Sequence, residues 1–150
     1  APMSPQEQQN VFTSALTETL EKDCSYDVVQ AVHEQLRGRI QEHKDSRDPE
    51  PLTLSVREVG DVLTGSGVPE EKEEAFQEAC RRQYGPDAAR NIIEAGKFQI
   101  ATPEVKITVP PEYSYMVETR IIDGRRFILI PADDGVEVNG IPVTIPNPQA

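Results

Sequence analysis

With 150 residues and a formal net charge of −11, the chain is long enough for one domain or two small ones and too acidic to favour nucleic acid or anionic membranes. No apolar run approaches the roughly 18 residues of a transmembrane helix, and no basic-then-apolar leader opens the sequence. Aromatic residues make up 5% and Trp is absent, so any core must be built mainly from Val, Ile, Leu and Ala.

In chain order, Ser4-Pro5-Gln6-Glu7 reads as a helix start: Ser4 caps, Pro5 fits the first helical position, and Glu7 is placed to close a capping box. Val11, Phe12, Ala15, Leu16 and Leu20 continue the helix. After Asp23-Cys24-Ser25, a second helix is signalled by Val28, Val29, Val32, Leu36 and Ile40, which gives a helical hairpin over 1–45. The charged, proline-containing stretch HKDSRDPEPL carries no apolar periodicity and predicts a linker at 46–52. The remainder, 53–150, is expected to form an α+β domain.

That domain opens with Ser55 and Glu58 spaced as a capping box, flanked by Leu54 and Val59 as a hydrophobic staple. The short helix stops at Gly65-Ser66-Gly67. Pro69 and four glutamates start the next, whose predicted buried stripe is Ala75, Phe76, Ala79, Cys80 and Tyr84, closed by Gly85. A last short helix is expected from Pro86 and Asp87 through Ile92 and Ile93 to Gly96.

Beyond Gly96 the period changes to two. Phe98 and Ile100, then Val105, Ile107 and Val109, alternate with polar neighbours as half-buried strands do. Asp123-Gly124 and Asn139-Gly140 suit two-residue type I′ hairpin loops, because these residues tolerate the positive φ those turns require. The first loop sets Ile122 opposite Arg125, Arg120 opposite Phe127 and Val117 opposite Ile130. One hairpin face, with Val117, Thr119, Ile128 and Ile130, is apolar enough to be a core face. The second loop puts Val136, Val138, Ile141, Val143 and Ile145 on one face, and Pro142 marks an edge strand. The fold class is therefore α+β: helices first, then a small, mainly antiparallel sheet built from β-hairpins.

The segments CSYDVVQAVHEQL, LSVREVGDVLTGSGVPEEKEEAF, KFQIATPEVKITV and VETRIIDGRRFILIPADDGVEVNGI resemble the C-terminal part of an uncharacterised bacterial family, domain of unknown function 4317. The resemblance implies a bacterial, cytoplasmic protein of which this chain forms the C-terminal portion, and it carries over no catalytic residue.

The motifs that suggest chemistry are each incomplete. His33-Glu34-Gln35-Leu36-Arg37 begins like a zinc HExxH, but Arg37 stands where the second ligand is needed, and His43 lies ten residues beyond His33. Gly65-Ser66-Gly67 lacks the Lys-Ser or Lys-Thr of a phosphate loop and precedes acids that repel phosphate. Residues 54–84 outline a helix-turn-helix whose second helix has the wrong charge for a DNA groove. Asp133-Asp134 sits beside Gly135 as a turn former. Cys24 and Cys80 belong to no cluster and read as reduced, structural thiols of a cytoplasmic protein, against the alternative of a single disulfide in an exported one. No metal or other cofactor is indicated.

Arg120, Arg125 and Arg126 are the basic cluster of the strand half. Strand-end charges discourage edge pairing, and a cation–π contact of Arg120 on Phe127 would be ordinary packing. The sharper reading is a binding site for an anionic ligand or partner. With no catalytic constellation, the expected function is a non-enzymatic protein-interaction or regulatory module. The acidic helical half, which holds −9 of the charge over residues 1–96, favours a basic protein partner. The alternatives are an accessory domain of an enzyme whose active site lies upstream and a nucleic-acid module using the hairpin arginines.

Overall fold

The computed structural model describes residues 3–84 and 92–148. Four helices come first, α1 (Pro5–Leu20), α2 (Tyr26–Ser46), α3 (Val56–Gly65) and α4 (Glu70–Tyr84), followed by six short strands. The chain divides into two compact units, residues 1–112 and 113–150.

Local chemistry starts and stops the helices of the first unit. The Ser4 hydroxyl accepts the Glu7 N–H at 3.1 Å, but the return arm from Glu7 does not form, so half of the expected capping box is present. At α3 both arms form: the Glu58 N–H donates to the Ser55 hydroxyl at 3.0 Å, and the Ser55 N–H to the Glu58 carboxylate at 3.2 Å. Leu54 and Val59, the expected staple, are both buried. The glycine-containing turn after α3 is an ordered Schellman cap. Gly67 takes φ +96°, its N–H donates to the Thr64 carbonyl at 3.1 Å, and the Val68 N–H donates to Leu63 at 3.1 Å. Val68 and Leu63 are buried, which supplies the apolar contact of that motif.

Helix α2 continues through charged residues to Ser46 before Arg47 turns left-handed at φ 59°. Its last turns lie outside the core, where a Gln41–Asp45 hydrogen bond of 3.0 Å and basic His43 and Lys44 near the negative helix end support them. The stretch 46–52 lies inside the first unit.

One core joins residues from both sides of that stretch. Phe12, Leu16 and Leu20 of α1, Val59 and Leu63 of α3, and Phe76 and Cys80 of α4 belong to a single buried cluster. Phe12 and Phe76 meet edge to face with centroids 5.8 Å apart. Helix α1 packs along α4, and α2 along α3. Lys72 of α4 fixes the end of α1: its ammonium donates to the Leu20 carbonyl at 3.1 Å and lies 3.4 Å from Asp23 and 3.6 Å from Glu21.

The buried stripe of α4 differs from the expected one. Ala75 is exposed and Glu73 is buried with Phe76, Ala79 and Cys80. The reason is Gly60 on α3: a Cβ there would occupy the place of the Glu73 carboxylate, so the missing side chain makes room for a buried acid. Glu73 accepts a hydrogen bond from Gln77, whose own carbonyl accepts from Arg81 at 2.6 Å.

The closing residue Gly85 and the expected helix start at Pro86 and Asp87 lie outside the described residues. Ile92 to Gly96 is irregular, ending in a turn closed by Lys97 N–H to the Glu94 carbonyl at 3.2 Å. Strands β1 (Phe98–Ala101) and β2 (Lys106–Val109) then pair antiparallel, Phe98 opposite Val109.

In the second unit β3 (Glu118–Ile122) pairs with β4 (Arg125–Leu129), and β5 (Glu137–Val138) with β6 (Ile141–Pro142). Both loops have the conformation their residues demand: φ is 49° at Asp123, 80° at Gly124, 52° at Asn139 and 78° at Gly140. The register follows, with Ile122 opposite Arg125, Arg120 opposite Phe127 and Val138 opposite Ile141. Among the described residues the strands thus form three two-stranded pieces within an α+β fold.

Candidate functional site

The expected core face of the β3–β4 hairpin is not a core face. Val117 is buried and Ile128 half-buried, but Thr119 and Ile130 are exposed, and Ile121 near the tip is 71% exposed. Among the described residues no third strand joins the hairpin, so both of its edges lack a strand partner. The face of the second loop is similar, with Val138, Ile141, Val143 and Ile145 all exposed. Between residues 113 and 148 only Ser114 and Val117 are buried. Tyr113, Tyr115 and Met116, in the 3-10 turn Pro111–Met116 that leads into β3, add to the exposed apolar surface.

The three arginines are set within that surface by the turn register. Cross-strand neighbours share a face, so Arg120, Arg125 and Phe127 lie on one side with Ile122, and Arg126 lies on the other opposite Ile121. Arg120 does not cover Phe127. Its guanidinium donates to the Glu118 carboxylate at 2.6 Å, two residues away on the same face. Arg125 takes the ring instead, its guanidinium carbon 5.4 Å from the Phe127 centroid, again from two residues away. Arg126 has no ion-pair partner among the described residues. The arrangement presents two cations, one stacked and one unpaired, on opposite faces of a tip rich in apolar side chains. Such a tip can hold a carboxylate by a bidentate guanidinium contact.

The other residues singled out from sequence are placed as parts of the fold. His33 has its Nε2 3.2 Å from the Glu94 carbonyl and its ring edge-on to Phe98, centroids 5.3 Å apart. Since a carbonyl only accepts, Nε2 carries the proton. Among the described residues no three His, Cys, Asp or Glu side chains come together as metal ligands. Both cysteines are free thiols. Burial pushes the Cys80 thiol up to about 12 and also raises Cys24, so both stay protonated near neutrality and neither is an activated nucleophile. Tyr84 is likewise raised, chiefly by burial, and its hydroxyl donates to the Gln8 carbonyl, tying α4 to α1. No described helix is long and apolar enough to cross a membrane.

The fold and this surface define an α+β chain whose hairpin residues are mostly exposed. A family model described as Domain of unknown function (DUF4317) matches residues 1–141, and the chain belongs to that family. No curated protein matches it. No solved structure matches it either.

Proposed function

We propose that this chain is a non-enzymatic protein-interaction module whose contact surface is the hairpin unit 113–148. The observation that supports it is the concentration of exposed apolar side chains there, with Tyr115 at 72%, Ile121 at 71% and Ile141 at 65% exposed. So many large apolar side chains exposed within one short segment mark a surface suited to a partner. The arginines specify the chemistry of the partner at this site: a protein segment with acidic residues flanking apolar ones, laid along the free edge of β4 or across the tip. A bacterial, cytoplasmic setting fits the two free thiols and the family resemblance.

The test is affinity capture from nuclease-treated host lysate with the wild-type chain and with Arg125→Glu/Arg126→Glu. The expected result is a specific partner held by wild type and reduced about tenfold or more by the double reversal, as loss of two charge-assisted contacts implies. Equal capture of that partner by both proteins would remove the hairpin tip from the interface.

A further inference from the structure

Helices α1 and α2 are consecutive and separated by only five residues, the 3-10 turn Glu21–Asp23 with Cys24 and Ser25. Helices so joined ordinarily pack on each other. Here the main partner of α1 is α4 and that of α2 is α3, although Val32 and Leu36 of α2 share the buried cluster with Phe12, Leu16 and Leu20 of α1. Between them is a cleft of about 730 Å³, within the roughly 300–1,000 Å³ typical of small-molecule sites. Phe12, Leu16 and Leu20 line one wall, Val28, Val29 and Val32 a second, and Ile92, Ile93 and Phe98 a third. Val29 is 42% exposed although it stands on the apolar stripe of α2, as expected of a residue facing an opening rather than a neighbouring helix.

We infer that this cleft binds an uncharged, elongated apolar molecule, an aliphatic chain with a hydrogen-bonding head such as a long-chain alcohol. The walls supply aliphatic contact. Among the described residues the charged side chains of the lining are Glu94 and Lys97, one of each sign, which gives little net attraction to an ionic head. The chain's acidic field disfavours anions further. Uncharged polar groups of the lining include Gln9 and Thr13, which can donate to or accept from a hydroxyl, and Thr17, whose own hydroxyl donates to the Thr13 and Ser14 carbonyls and can accept. Cys24 also lines the cleft, and its thiol, kept neutral by burial, contributes apolar contact rather than covalent chemistry.

Calorimetric titration of the whole chain with 1-decanol tests this, beside decanoate and decyltrimethylammonium below their micellar concentrations. Decanol is expected to saturate with one molecule per chain and to bind more tightly than either charged analogue. Val29→Arg, at a half-open position that tolerates a long side chain, should weaken it about tenfold or more by placing a charge in the apolar wall. Thr13→Arg, on the opposite wall, should do the same. Val138→Arg and Arg125→Glu/Arg126→Glu, in the other unit, should leave it unchanged, so the cleft and the hairpin surface fail or succeed separately. Absence of saturable decanol binding, indifference to both cleft variants, or tighter binding of a charged analogue would overturn the inference.

Discussion

Cys80 shows how a single buried group shapes the pH response of the whole fold. Its thiol is 2% exposed and burial raises its pKa from 9.0 to about 12. Below pH 9 folded and unfolded chains both keep the proton and nothing changes. Above it the unfolded chain ionises while the folded one does not, so stability falls as pH rises from about 9 towards 12, by at most about 1.4 kcal/mol per pH unit from this group. Tyr84, shifted the same way by burial, extends the loss to higher pH. Urea titrations at pH 8, 9.5 and 11 are expected to show this decline, with a shallower slope in Cys80→Ala. A flat profile in the wild-type chain would contradict the burial of the thiol. At Ser55 the two-armed capping box predicts a loss of about 1 kcal/mol in Ser55→Ala, read as a lower urea midpoint with unchanged slope.

At the scale of elements, Gly67 and Phe76 carry the sharpest expectations. Gly67→Ala places a Cβ at φ +96° and should cost about 1 kcal/mol despite the open space around it, since the strain is in the backbone. Phe76→Ala removes a fully buried ring between α1 and α4 and should cost about 3–5 kcal/mol. Thermal or urea unfolding of each variant measures both. The helices and turns were legible in sequence because their signals are local: Ser4 and Ser55 cap, Asp123-Gly124 and Asn139-Gly140 set register. What sequence could not show was long-range partnership. The apolar stripes of α1 and α2 look as if made for each other, but which helix a stripe meets depends on the turn geometry and on Lys72 holding the end of α1. In sequence Glu73 is one of four glutamates at a helix start, and its burial depends on Gly60, thirteen residues earlier on another helix. The arginines were found as a cluster, but their pairing was not. Arg120 faces Phe127 in the register, and a same-strand neighbour, Glu118, still wins its guanidinium.

The molecule as a whole is uneven. Residues of the first unit share one buried cluster, while the second, with no cysteine and two short hairpins, buries almost nothing of its own. Two-stranded hairpins are marginal in water, so the β3–β4 amides should exchange with solvent orders of magnitude faster than those of α1 and α4 in native-state hydrogen exchange. The same imbalance is why the hairpin unit is proposed as a contact surface: its apolar side chains are placed by well-defined turns and remain uncovered. The most direct test is site-specific photo-crosslinking in the host cell, with a benzophenone side chain at position 121, on the hairpin, or at position 42, on the exposed side of α2. Crosslinking of one acidic-segment partner from position 121, with none from position 42, is the predicted result. A partner trapped from position 42 and none from position 121 would contradict the assignment of the hairpin unit as the contact surface.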